Sequence, residues 1–385
     1  MKKHWKTILT VLLLSALLPV ILLATEWRLP SLYGESYYAE LSAMTERLYS
    51  VQGKKLVLVG GSNIAFGVDG NLLENLLAEK GFDYTVCPFG LYAALGTGAM
   101  LSLSEDALCP GDLVVLAMEP TAETLSCYFG AGAFWKCAET APSLLMALKP
   151  AQCAAAAGSY IGYLQERTAI VRSQEWPRPE GAYRKDSFDA DCTMRFVREG
   201  NTMPLGYDYA DPIDLNALEI PADFAEEVNR YIQKAEKNGA QVVLSFSPMN
   251  RSAMTDVSEA VVWKYFSLCN DVFRCPVISD PNNYILDCGW FFDNNVHLNS
   301  AGAELRTYNL ARDIFAFLGC YEPVEEEPLT MPASVAEPED NAADNRFFVF
   351  APTADNAAWI IWGLTDEGKK QTTLTAPSQI GRAHV

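Results

Sequence analysis

The chain is nearly devoid of histidine. Among its 385 residues there are three, His4, His297 and His384. His4 precedes an apolar amino-terminal segment and His384 sits at the extreme carboxyl end, so His297 alone serves the body of the protein. One usable imidazole cannot build a multi-histidine metal site, and no carboxylate cluster accompanies it, which sets metal-dependent hydrolysis aside. Basic residues are also scarce: 29 Lys and Arg stand against 48 Asp and Glu, a formal net charge of −19. Nucleic acid is thereby excluded as a partner, because phosphate binding needs clustered cations. The same balance excludes a body pressed against anionic lipid. The ten cysteines contain no CxxC pair and no zinc-finger spacing, and they define no disulfide. Cys87, Cys127 and Cys288 lie in apolar contexts, where a free thiol packs as a small hydrophobe.

Hydrophobic residues are plentiful at 50%, enough for a sizeable core. The first 25 residues stand apart. Lys2, Lys3 and Lys6 precede an apolar run from Ile8 to Ala24, and Glu26 and Arg28 follow. A positive amino end, an apolar segment and a polar exit predict a single-pass transmembrane helix with the body outside the cytoplasm. "LLATEW" is a poor cleavage site, which favours an uncleaved signal anchor over a removed signal peptide.

From about residue 54 to 318 strand and helix signals alternate. Strands are predicted at 54–61, 83–90, 112–120, 240–248 and 275–280, with helices at 69–81, about 91–108, 221–239, near 255–271 and 301–319. Near-continuous apolar strands between helices indicate a parallel sheet covered on both faces. The predicted fold class is α/β, a flavodoxin-like three-layer sandwich of about five strands, whose ligands sit beyond the carboxyl ends of the strands. The α/β domain spans 26–320, with 150–220 read as an insertion or lid. Residues 321–345 are acidic and proline-bearing, a solvated linker, and 346–379 resemble the opening strands of a small β module. The last six residues, "IGRAHV" (380–385), match a sequencing-adapter reading frame, so the natural carboxyl terminus is expected to be missing.

Two short stretches carry the chemistry. "VLVGGSNIAFG" (58–68) places Ser62 on a Gly-Gly turn at the carboxyl end of the first strand. "WFFDNNVHLNSAGAELRT" (290–307) places His297 just before the last helix, with Asn299 or Ser300 as its cap. A serine hydroxyl attacks poorly until a base takes its proton, and first and last elements can meet across such a sheet. Ser62 is therefore the candidate nucleophile and His297 its base. Ile64 replaces the second glycine of a GxSxG elbow, and no Gly-Lys-Ser/Thr ending makes the turn a phosphate loop.

"GGSN" after the first strand, "PFGLYAALG" after the second and "DNNVHLNSAG" before the last helix together resemble the SGNH (GDSL-like) hydrolase superfamily, over about two thirds of the chain. The resemblance implies that Ser62 attacks, that His297 accepts its proton, and that the N–H groups of Ser62 and Gly90 hold the oxyanion without any cofactor. It also exposes two departures. The third block, "LAMEPTAET", carries Glu119 where the superfamily usually supplies an asparagine to the oxyanion hole, leaving Asn63 as the substitute. The usual Asp-x-x-His spacing puts Asn294 in the orienting place, with Asp293 one residue earlier. Asp293 is the preferred orienter because a carboxylate best stabilises an imidazolium, and a Ser-His dyad stays open.

With its anchor, its "HLNSAGAELRT" ending and "YFGAGAFWK" (128–136), the chain is most similar to the membrane-anchored branch related to the D-alanyl-lipoteichoic acid biosynthesis protein and the alginate acetylation proteins. That likeness implies O-acyl transfer to, or ester removal from, a cell-envelope polymer, beside a membrane-bound O-acyltransferase partner. The alternative is a non-catalytic surface scaffold that binds glycan or such a partner. Trp135, Trp290, Phe291 and Phe292 could then stack on sugars, although such aromatics are more often core. No carboxylate pair is marked out for glycosidase chemistry.

Overall fold

The computed structural model describes residues 28–324 and 328–335 continuously, strand residues 348–352 and 359–364, the turn 368–370, and isolated helical residues within 5–21. Most of the expected anchor (1–25), much of the linker and the 380–385 tail lie outside the described residues. Trp5, Ile8, Val11, Leu14, Leu17 and Ile21 are helical and exposed. Among the described residues no helix is long and apolar enough to cross a membrane.

The central strand β1 (Lys55–Gly60) is buried along its whole length, as its unbroken "LVLV" run requires. It pairs in parallel with β2 (Thr85–Phe89) on one side and β3 (Leu113–Ala117) on the other, and β3 pairs with β4 (Gln241–Leu244), giving the order β2-β1-β3-β4. Alternate residues feed two cores. Val57, Val59, Val114 and Leu116 point into one, which also takes α1 (Glu40–Ser50), α4 (Thr97–Ser104), α7 (Ala222–Lys237) and α8 (Glu259–Val272). Leu56, Leu58, Leu113 and Val115 point into the other, beneath α3 (Gly70–Glu79) and α9 (Ser300–Phe317). Between β1 and α3 runs a four-residue helix, α2 (Ser62–Ala65).

The sheet has four strands where about five were expected. The 275–280 segment reaches β4 through a single parallel bridge, Leu244 with Val277. Pro276 has no N–H to give, and β4 is only four residues long, so the ladder ends after one rung. The helix expected at 91–108 is broken: a 3-10 turn over 93–95 stops at Gly96 (φ +85°), and α4 begins after it. A Cβ at Gly96 would lie 2.0 Å from the Tyr128 carbonyl oxygen, so the break is also a close approach of two backbones.

The 150–220 insertion opens with a 24-residue helix, α6 (Pro150–Ser173), packed on α5 (Ala131–Ala138). Trp135 is used inside that packing, donating Nε1–H to Ala156 O at 2.9 Å. Phe291 is fully buried in a third small core. Beyond α6 the chain is irregular to about 221, with 3-10 turns at 181–183 and 185–187. The acidic 321–345 stretch is not wholly solvated. Leu329 packs against the second core, and Ser334 Oγ and Val335 N both donate to Asn201 O. Cys127 is exposed and Cys288 half-buried, which corrects their reading as core thiols, while Cys87 is buried.

Two parallel residues pair as β5 (Met249–Asn250) and β6 (Ile285–Leu286). Near the carboxyl end, β7 (Phe348–Pro352) and β8 (Trp359–Leu364) form an antiparallel pair with an irregularity at Val349/Phe350.

Candidate active site

The turn after β1 is held by its own asparagine. Asn63 Oδ1 accepts the Gly61 N–H at 3.0 Å, and Asn63 Nδ2 donates to Ala117 O at the end of β3 at 2.9 Å. This side chain buttresses the turn; the structure does not direct it to an oxyanion. Gly90, just past β2, lies against the same turn: a Cβ there would sit 2.7 Å from Gly61 O and 2.8 Å from Ile64 Cβ. Only glycine permits that approach. Neither the Ser62 N–H nor the Gly90 N–H has a turn, loop or cap acceptor.

Ser62 is 6% exposed, and its Oγ lies 3.1 Å from Glu119 Oε1. The same oxygen accepts the Asn63 N–H at 3.0 Å. Glu119 stands two residues past β3 and is fully buried. Burial pushes its pKa up, against the Asn63 N–H, the nearby His297, the Ser62 hydroxyl and Arg306.

Across the site, His297 Nδ1 is 2.8 Å from Asp293 Oδ1. Asn294 does a different job: its Oδ1 accepts the N–H groups of Val296 and His297, shaping the loop. The structure therefore brings Asp293, four residues before the histidine, to the imidazole. Burial would raise the Asp293 pKa, but the hydrogen bond and charge of His297 and the Tyr183 hydroxyl outweigh it and hold the carboxyl below its ordinary value.

The imidazole is clamped on its face by Phe66, at 3.8 Å between ring centroids and 5° between planes. Phe66 caps α2, four residues beyond Ser62, and its N–H bonds Ser62 O. The Ser62 turn and His297 are thus joined through one aromatic residue. His297 Nε2 is buried without a hydrogen-bond partner. Phe66, four residues past Ser62, meets the His297 ring, yet the expected Ser-His hydrogen bond is not formed; the serine hydroxyl is engaged by Glu119 instead.

Three contributors escaped the sequence reading. Tyr183, from the irregular part of the insertion, donates its hydroxyl to Asp293 Oδ2 at 2.5 Å. It belongs to a tyrosine cluster with Tyr37, and Tyr37 in turn meets Tyr92, two residues past Gly90. Arg306 on α9 is buried and donates to Asn63 O and to Phe246 O, tying the last helix to the nucleophile turn; burial lowers its pKa to about 10. Glu119 was visible only as a missing asparagine. The spacing of Tyr183 and Arg306 carries no local signal, because both act across more than 100 residues of sequence.

No family model matches the chain, and no curated protein matches it. Among solved structures, the crystal structure of protein YxiM from Bacillus subtilis is similar at 12% identity and a TM-score of 0.34, over 70% of this chain. The matched region spans 58% of that protein. So distant a likeness carries no weight for the chemistry, which rests on the geometry above.

Proposed function

We propose that the protein is a serine acyl-ester enzyme of the SGNH type, an O-acyltransferase or esterase. The observation that carries this is the oriented imidazole: a buried ring fixed by Asp293 and Phe66, with an unpartnered Nε2, and linked through Phe66 to the turn that bears Ser62. Ser62 Oγ–H passes its proton to His297 Nε2 as Oγ bonds the acyl carbon. The Ser62 and Gly90 N–H groups take the developing oxyanion, and collapse expels the alcohol with the proton from His297. A sugar or polyol hydroxyl, or water, then resolves the acyl-enzyme by the reverse sequence. In this proposal the body works outside the cytoplasm on a cell-envelope polysaccharide or teichoic acid, held by the amino-terminal apolar segment beside a membrane-bound O-acyltransferase.

The test is acylation by p-nitrophenyl acetate, read as burst and as intact-mass adduct. An adduct present in wild type and missing from Ser62→Ala and His297→Ala is the expected result. A folded protein that takes no acyl group from several donors would sink the reading. The second reading, a scaffold that binds glycan or a membrane partner, is favoured by one observation: Ser62 is 6% exposed and bonded to a carboxyl rather than to its base.

A further inference from the structure

Glu119 is an awkward neighbour for a nucleophile. A carboxylate against Ser62 Oγ would hold the hydroxyl proton in a hydrogen bond, turned away from His297, and would repel the negative charge that forms on the acyl oxygen. Its surroundings give a charge the Asn63 N–H but no ion pair. Glu119 is 4% exposed, and among the described residues no Lys or Arg forms an ion pair with it. Arg306, whose charge acts on Glu119, spends its Nη atoms on the carbonyl oxygens of Asn63 and Phe246. A buried carboxylate with no paired cation is costly, and the ordinary escape is to hold the proton.

Its placement, by contrast, is exacting. The Thr121 N–H and the Thr124 hydroxyl both donate to Glu119 O, fixing the backbone. A Cβ on Gly61 would fall 2.6 Å from Glu119 Oε1, so the glycine makes the room that this carboxyl occupies. The carboxyl ends 3.1 Å from the reacting oxygen.

We propose that Glu119 is a catalytic residue that works as a neutral carboxylic acid, donating a hydrogen bond to Ser62 Oγ at rest and to the acyl oxygen as negative charge gathers there. This inference rests on the serine acyl-ester reading and adds a third oxyanion donor to the Ser62 and Gly90 N–H groups. With the proton on the carboxyl, the contact runs from Glu119 to Ser62, and the serine's own proton is free to turn toward the unpartnered His297 Nε2. During attack, the Ser62 proton goes to His297, the Oγ–C bond forms, and the carbonyl π pair moves onto the acyl oxygen. That oxygen accepts from the Glu119 O–H, which stays bound to Glu119 throughout. Neutral carboxylic acids in apolar sites serve as donors of this kind. The groups that face Glu119 are Ser62 and Asn63 from the turn, His297 from the loop before α9 and Arg306 from α9.

Two measurements on the full chain decide it. The first is the pH-dependent infrared spectrum of wild type minus Glu119→Gln, with Glu119→Leu as a second reference should the glutamine variant fold poorly. A protonated-carboxyl C=O band at neutral pH, absent from the variant, is expected; only an ionised carboxylate band would overturn the proposal whether or not the protein acylates. The second is the acylation rate with p-nitrophenyl acetate. Glutamine keeps a donor, so Glu119→Gln should acylate within about threefold of wild type, while Glu119→Ala, which has none, should lose on the order of 100-fold. Equal losses in both variants would make the ionised carboxylate itself essential, as a base, and end the proposal. A wild type that forms no Ser62 adduct at all fails the parent reading instead, and the infrared band then still decides the state of Glu119.

Discussion

The two ends of the parallel sheet treat buried charge in opposite ways. At the amino ends, Lys55 Nζ lies 3.0 Å from Asp112 Oδ2, and both side chains are almost wholly buried. Asp112 also accepts the N–H groups of Lys55 and Cys109, so every charge there has its partner. At the carboxyl ends, among the described residues, Glu119 forms no salt bridge with Lys or Arg, Arg306 Nε has no acceptor and His297 Nε2 has no donor or acceptor. One end is closed and serves the fold. The other keeps open valences, each costly on its own, and such costs are tolerated where a reaction uses them.

Breaking the closed end should have the largest effect on stability. Lys55→Met leaves Asp112 buried without its cation and should cost about 3–5 kcal/mol in urea denaturation. Adding Asp112→Leu should restore most of it, because a buried pair exchanged for apolar residues is close to neutral. Acylation per folded molecule should stay unchanged in both. On the open side, Tyr183→Phe removes the hydroxyl that holds Asp293, a hydrogen bond to a charged group worth about 1.5–3 kcal/mol. Its acylation rate should fall by roughly tenfold or more, with a smaller change in KM.

The comparison also predicts a pH signature. Because its folded pKa is raised, Glu119 keeps its proton in the folded protein over a window where the unfolded chain has lost it. Wild type should therefore lose stability relative to Glu119→Gln as pH rises above the ordinary carboxylate range. Asp293, with a lowered pKa, works in the opposite sense: its contribution is present above the ordinary value and fades as pH falls through the folded value. Urea midpoints of wild type, Glu119→Gln and Asp293→Asn across pH 4–8 separate the two. The smallest effect belongs to neither end. Lys80→Ala removes an exposed pair with Glu322 and should change stability by about 0.5 kcal/mol or less.

Much of this architecture was legible because it is local. Asp69 caps α3 through Asn71 and Leu72, Asn299 caps α9 through Gly302, and the apolar runs of β1 and β3 are strands, as their patterns say. The fifth strand was overread, since an apolar run does not reveal that a proline and a short neighbour cut the ladder to one rung. The helix of the insertion was underread: "AAAAGSYIGYL" offers small residues and no strong apolar stripe, and α6 owes its place to packing on α5. In the site, Ser62 and His297 could be named from chain position and histidine scarcity, and Asp293 from the resemblance and the chemistry of a carboxylate beside an imidazole. The partner of the serine hydroxyl could not, because it depends on how the loop after β3 folds over the turn after β1.

The ring stack has a spectroscopic consequence. Phe66 lies flat against His297 at 3.8 Å, so its ring current must displace the imidazole carbon-bound protons upfield. The other two histidines sit near opposite termini, outside the described body. A one-dimensional proton spectrum should thus show a His297 ring pair displaced upfield, a built-in reporter on this imidazole that needs neither label nor substitution.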